Sequence, residues 1–402
     1  MSEWRETTTA EIIAPLKGSL ISGPFGSNIS SKYFVNAGVP VIRGNNLSLD
    51  IGTRFIDNGF VFITQSKAEE LNTWADKDDI IFTAAGTIGQ VGLIENTTYN
   101  RYIISNKQIR LRIDKSKALP RYVYYWFASP QMTEKIISMD TGSTIPLINL
   151  SVVRMLPIML PPLPTQCAIA EVLSSFDDKI DLLTRQNATL EALAQTYFRQ
   201  WFVEEAREDW EIKKLSDFGT IVCGKTPSTK IADYYGDDVP FLKIPDMHGK
   251  LYVFDTADHL SLRGAKSQAN KTIAPNSICV SCIATVGLVV INAVECQTNQ
   301  QINSLSPFDA SYLYYLFCLM RNYTEELLAL GSGGTTVGNV STSLFSGIDC
   351  YYPDKNSILS FNNCAIPLFD KIYSNTKQIQ TLQKLRDTLL PKLISGEVRV
   401  KH

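Results

Sequence analysis

The run Gly219-Thr220-Ile221-Val222-Cys223-Gly224-Lys225-Thr226 fits the phosphate-cradling pattern G-x-x-x-x-G-K-T letter for letter. Such a loop binds phosphate only where a helix begins at the Gly-Lys, so that backbone N–H groups and the helix dipole face the anion. Here Pro227 follows and biases Thr226 away from helical dihedrals, which predicts a plain turn and no nucleotide site. Cys279 and Cys282 have the C-x-x-C spacing of a metal or redox pair. No second pair stands at zinc-site spacing, and a three-residue step along a strand points the two thiols to opposite faces. His248, His259 and His402 form no ligand set, although His248 beside Asp246 could make a polar pair that reads a base or moves a proton. The chain also carries no G-x-G-x-x-G, no Asn/Asp-Pro-Pro-aromatic motif of amino-methyltransferases and no G-x-S-x-G. The chemistry expected is binding, not catalysis.

At 402 residues, 45% of them hydrophobic, the chain has room for two domains that each bury a core. No apolar run approaches the ~20 residues a membrane span needs, Met1-Ser2-Glu3-Trp4 does not open a signal peptide, and eight scattered cysteines suit free thiols in a reducing cytoplasm. A formal net charge of −2 excludes a generic polyanion binder. Any nucleic-acid contact must use local basic clusters or lean on a partner's charge.

The elements that position these residues occur twice. Trp4 is answered by Trp210, and Val39-Pro40-Val41-Ile42-Arg43 by Val239-Pro240-Phe241-Leu242-Lys243. Ile80-Ile81-Phe82-Thr83 returns as Ile278-Cys279-Val280-Ser281, and Ser105-Asn106-Lys107-Gln108-Ile109 as Thr298-Asn299-Gln300-Gln301-Ile302. Tyr122-Val123-Tyr124-Tyr125 returns as Tyr312-Leu313-Tyr314-Tyr315, and Asp178-Lys179-Ile180 as Asp370-Lys371-Ile372. Each copy runs from short β-like segments through an aromatic helix and a Gly/Ser/Thr loop to a proline, and then to a long helical pattern.

In the first pattern Ile169, Leu173, Phe176, Ile180, Leu183, Asn187, Leu190, Ala194, Tyr197 and Trp201 recur at alternating steps of four and three. In the second the same steps select Phe361, Ala365, Leu368, Ile372, Asn375, Ile379, Leu382, Arg386, Leu389 and Leu393. A 3.5-residue period held this long predicts a coiled-coil seam rather than two helices each packed on its own globule. In antiparallel register Asn187 faces Asn375, Leu183 faces Ile379 and Leu190 faces Ile372. Phe176 then faces Arg386, an awkward pair unless the guanidinium lies over the ring. Pro367 is expected near the start of the second helix, and Pro391 is expected to end or kink it.

Two helix-closing segments carry a family resemblance. Leu193-Ala194-Gln195-Thr196-Tyr197-Phe198-Arg199-Gln200-Trp201-Phe202-Val203 closes the first helix, and Leu385-Arg386-Asp387-Thr388-Leu389-Leu390-Pro391-Lys392-Leu393-Ile394-Ser395-Gly396-Glu397 closes the second. With the duplication, and with Pro161-Pro162-Leu163-Pro164-Thr165-Gln166 and Gly224-Lys225-Thr226-Pro227-Ser228, the whole chain resembles the specificity (S) subunit of type I restriction-modification enzymes. The resemblance implies an α+β fold with two pseudo-symmetric target-recognition domains, joined by two long helices in an antiparallel coiled coil. It places the domains at 1–163 and 207–353 and the helical regions at 164–206 and 354–402. A noncatalytic subunit that recognises a bipartite, asymmetric site in double-stranded DNA is implied, the alternatives being a twin-domain protein-interaction scaffold and a stand-alone enzyme. Partners implied are two methyltransferase (modification) subunits carrying S-adenosylmethionine, and motor-nuclease (restriction) subunits carrying ATP and Mg. No cofactor falls on this chain. Helices of ~30–35 residues, ~45–50 Å long, suit half-sites about one B-DNA turn (~34 Å) apart.

Residues with the chemistry to touch DNA are expected on loops. In the first domain these are Lys32, Arg43, Asn45, Asn46, Lys107 and Gln108, with Ser143 and Thr144. In the second they are Lys225, Lys243, Asp246, His248, Gln300 and Gln301, with Thr335 and Thr336. Arg and Lys suit guanine or phosphate, Asn and Gln suit adenine, and for each the bland reading is a solvated or fold-capping side chain.

Overall fold

The computed structural model describes residues 4–95, 97–142, 144–331 and 338–400. The chain divides into two compact units, Met1–Leu182 with Gln380–His402, and Leu183–Ile379. The division falls inside both long helices, so each unit takes one stretch from each helix.

In the first unit the strands Leu20–Ser22, Gln108–Leu111, Ile80–Thr83 and Val91–Leu93 form an antiparallel sheet in that order. The two central strands are buried along their whole length. One face meets a second sheet ordered Phe34–Val35, Val61–Ile63, Val39–Ile42, Tyr102–Ile104, Trp74–Ala75, whose Val39–Ile42 and Tyr102–Ile104 pair in parallel. The other face packs on the aromatic helix Pro120–Phe127 and on the paired long helices. The second unit repeats this plan. Its sheets run Gly219–Cys223, Ile302–Pro307, Ile278–Ser281, Val289–Asn292, Tyr252–Val253, and His259–Leu260, Tyr235–Leu242, Cys296–Thr298, Thr272–Ile273. Again the second sheet contains one parallel pair, Tyr235–Leu242 with Cys296–Thr298.

The long helices are Leu163–Arg199 and Lys355–Ile394. Pro161-Pro162 and Pro353 precede them, and Asp354 caps the second by accepting from the Asn356 and Ser357 N–H groups at 3.0 and 3.1 Å. A turn of π-helix, Gln200–Glu204, closes the first. Pro367 does not start the second helix but lies well inside it, and Pro391 does not end it. A lone proline costs about 3 kcal/mol in a helix interior. Burial of Phe361, Ala365, Phe369 and Ile372 around the first proline, and of Leu390, Leu393 and Ile394 around the second, outweighs that cost.

The helices run antiparallel, as each unit shows separately. In the first unit Ile169, Ala170 and Leu173 share a core with Leu390, Leu393 and Ile394. In the second, Ala194, Phe198 and Phe202 share a core with Phe361, Ala365, Phe369 and Ile372, with Leu190 packed against it. Leu183 is buried, and Ile379 half-buried. The Asn375 amide donates to Asn187 Oδ1 at 2.8 Å and to Gln186 Oε1 at 2.9 Å. Asn187 in turn approaches the Thr376 hydroxyl at 3.4 Å. The pair, Asn375 buried and Asn187 half-buried, bonds in this register, whereas a slip by one turn sets both amides against apolar side chains.

Arg386 does not lie over Phe176. Its Nη1 meets Asp177 Oδ1 at 2.8 Å, both side chains being 4% exposed or less, and its Nε meets Asp387 at 2.9 Å. Tyr125 donates to the other Asp177 oxygen at 2.5 Å, and Arg54 reaches from the Tyr125 hydroxyl to Asp178. Burial pushes the Asp177 carboxyl upward, against the pull of Arg386 and Tyr125. A Cβ at Gly52 would stand 2.2 Å from Arg386 Nη1, so a side chain there would have to displace the guanidinium. The repeat places Phe369 opposite Asp177 and Ala194 opposite Arg386. In the second unit Phe369 stacks on Tyr314 at 4.1 Å and 9°. One copy thus docks its globule on the helices through a buried charge, the other through an aromatic stack.

Arg386→Ala strands the Asp177 carboxylate and is expected to cost about 3–5 kcal/mol. Asp177→Leu with Arg386→Leu should recover most of it, as measured by denaturant unfolding of the full chain. Asn187→Leu with Asn375→Leu should raise the thermal midpoint but broaden the oligomer distribution seen by light scattering, because register is no longer penalised.

Candidate nucleic-acid interface

The tempting catalytic motifs dissolve on folding. Gly219–Cys223 is a strand, and the residues after it open no helix at Gly224-Lys225. The Lys225 N–H is spent on Thr298 O at 2.9 Å, and the Thr226 hydroxyl donates to Gln300 Oε1 at 2.6 Å. Cys279 faces one core of the second unit and Cys282 the other. Burial pushes these thiols up to about 12 and about 11, so neither supplies thiolate near neutral pH. Asp246 turns its oxygens inward, accepting from the Lys243 and Ala257 N–H groups at 3.0 Å each, and not toward His248. The described residues hold no group of three metal-ligating side chains.

The first unit gathers its polar candidates in a cleft of roughly 610 Å³. Its walls are the ends of the strands Val39–Ile42, Ile80–Thr83 and Gln108–Leu111 and the loops that follow or precede them. Arg43, Asn45, Lys107 and Gln108 line it, together with Thr83, Thr87, Gln90 and Asn106. Arg43 and the turn that carries Lys107 follow two strands, Val39–Ile42 and Tyr102–Ile104, that the fold brings together through the parallel pairing of Val41 with Ile103. Gly23 lets the neighbouring loop pass close by. A Cβ there would lie 1.8 Å from Ser105 O, and its N–H donates to Gln108 O at 2.9 Å. That loop holds Phe25 out to solvent, 85% exposed.

Other candidates are placed differently. Lys32 is exposed, with its ammonium 4.7 Å from the Tyr33 ring centroid. Asn46 is wholly buried, and the fold consumes its amide. Oδ1 accepts from the Arg43 N–H at 2.9 Å, while Nδ2 donates to Ile56 O and Asn58 O at 3.0 and 2.8 Å. Asp246 takes the same part in the second unit, so both are turn-forming residues and not free readers. Asn45 is exposed and bonds the Gly59 carbonyl at 3.1 Å. Thr144 is exposed, whereas Ser143, Thr335 and Thr336 lie outside the described residues.

In the second unit Lys225, His248 and Gln300 are exposed. Lys243 pairs with Asp258 at 2.7 Å, and Gln301 Oε1 accepts from Asn299 at 2.9 Å. Sequence reasoning passed over Gln90 and Asn106. Asn106 sat in the repeated quintet beside Lys107, and Gln90 followed Thr87-Ile88-Gly89, which returns as Thr285-Val286-Gly287, but nothing local marked either as cleft-lining.

Two copies of one α+β globule, each completed by a shared helix pair and presenting polar loops, define a duplicated recognition protein. The family described as "Type I restriction modification DNA specificity domain" matches residues 25–192 and 207–361. The chain belongs to that family and is a noncatalytic DNA specificity subunit of a type I restriction-modification system. It is 31% identical to the Type I restriction enzyme HindI specificity subunit of Haemophilus influenzae, over 99% of this chain and all of that one. It is 28% identical to the MjaIX specificity subunit of Methanocaldococcus jannaschii, over 87% of this chain and 84% of that one. The crystal structure of an S subunit from M. genitalium has the same fold, with a TM-score of 0.59 at 15% identity over 97% of this chain and 96% of that one.

Asn46→Ala leaves the Ile56 and Asn58 carbonyls unpaired and is expected to destabilise the chain by about 1–2 kcal/mol. Asn45→Ala should change stability by less than about 0.5 kcal/mol. Thermal unfolding of both variants separates the turn-forming asparagine from the available one.

Proposed function

We propose that each unit reads one half of a split DNA target, and that the chain thereby directs adenine methylation or cleavage carried out by partner subunits. The target-recognition domains are assigned to 1–163 and 207–353, and the helical regions 164–206 and 354–402 space them. The observation that carries this reading is one fold with two sets of loop chemistry. Where the first unit holds Phe25 out to solvent after Gly23, the second holds Lys225 out after Gly224. Identical folds with unlike loops suit two different half-sites, and hence a target that is not a palindrome.

Two modification subunits, one against each half, would supply S-adenosylmethionine, and restriction subunits would supply ATP and Mg. With only −2 of net charge, enclosure of the duplex by partners accounts for affinity better than this chain's own field. No helix among the described residues is long and apolar enough to cross a membrane, consistent with work on DNA in the cytoplasm.

Adenine-methylation profiling of a genome with and without this chain tests the reading. A two-part motif that vanishes with the chain is expected, and replacement of 207–353 by the same region of a relative should change only one part. A motif that persists without the chain would refute the proposal and favour the protein-scaffold alternative.

A further inference from the structure

The first unit treats one arginine unlike its other buried or half-buried ones. Arg54, Arg110, Arg112, Arg121 and Arg386 each face a carboxylate within 4 Å. Arg43 is half-buried in the cleft with no carboxylate partner among the described residues, and its Nε is buried without an acceptor. Beside it Gln108, 0% exposed, leaves Nε2 without a partner. The Ser105 hydroxyl donates to Gln108 Oε1 and accepts from the Lys107 N–H at 3.5 Å, with the Gln108 NH2 facing away from it. Lys107 adds a second, exposed cation, and no Asp or Glu lines the cleft. A half-buried guanidinium with no counter-charge, beside surplus N–H donors, is a ready partner for an anion. The corresponding cation of the second unit, Lys243, already has one in Asp258.

We propose that this cleft is the seat of a DNA backbone phosphodiester, with Arg43 as its charge partner, and that it positions the duplex rather than reading a base. Shape decides between the two roles. Base edges lie recessed in the grooves and are reached by protruding elements, whereas the sugar–phosphate strand is the convex ridge of the duplex. A concave site with surplus N–H donors, two cations and no carboxylate complements that ridge. Base reading in this unit then falls to segments that stand out, the Phe25 loop among them. The inference rests on the DNA-recognition reading above.

The test uses the full chain assembled with its modification subunits, on a duplex carrying the methylated motif, with binding followed by anisotropy across a salt series. Arg43→Gln is expected to weaken binding alike on motif and scrambled DNA and to lower the slope of log K against log salt by about one. Its methylation motif should be unchanged. A single methylphosphonate at one position within one half-site should weaken the wild type but not Arg43→Gln. Arg43→Lys, which keeps the charge and the fold, should retain the slope. Relaxation of the motif at one base pair would overturn the proposal in favour of a base reader, and unchanged slope and affinity would overturn it outright. A wild-type complex with no motif-dependent binding would instead refute the recognition reading itself.

Discussion

Everything in this chain depends on the antiparallel pairing of two helices that neither unit owns. Each unit's core is incomplete without a stretch of both. The first needs Ile169 to Leu173 against Leu390 to Ile394, and the second needs Ala194 to Phe202 against Phe361 to Ile372. Because the pairing is apolar over most of its length it supplies affinity without register, and a slipped seam would bury nearly as much surface. The Asn187–Asn375 amide pair and the Asp177–Arg386 charge pair are polar exceptions. Each is tolerable in a single alignment, so together they convert a sticky interface into a defined one.

The same chain shows one fold reached through unlike chemistry. At matched positions of the repeat, a buried carboxylate with its arginine and tyrosine in one unit is replaced by a phenylalanine stacked on a tyrosine in the other. Backbone topology is kept because the sheets and the helix seam specify it redundantly. The interior contacts between globule and helix are then free to differ, provided each is satisfied within itself. The loops have the same freedom. The turn formed by Asn46 recurs as the turn formed by Asp246, while the cations beside those turns diverge from unpaired to paired. Recognition can change in one unit without cost to the frame that holds it.

Much of this was legible in the sequence, for identifiable reasons. Alternating steps of four and three are a one-dimensional signature of helix pairing, so the seam and its asparagines could be read directly. The repeat announced two like globules, and Pro227 alone was enough to dismiss the phosphate loop. The cleft was legible only in part. Arg43, Lys107 and Gln108 stood out by type, but Asn46 and Asp246 stood out equally, and nothing in their spacing revealed that both are consumed by backbone N–H groups.

The sequence by itself determined the duplication, the helical seam, the absence of familiar catalytic motifs and the family. All of these are written in local period and order. Tertiary structure decided which polar side chains are free, because satisfaction depends on partners far along the chain. Arg386 finds Asp177 some 209 residues away, Pro367 and Pro391 are carried through by packing, and Arg43 is left unpaired in a cleft that three separated strands assemble. Hydrogen bonds and ion pairs are short-ranged in space and indifferent to distance along the sequence. Spacing alone could therefore name the candidates but not tell the spent from the available.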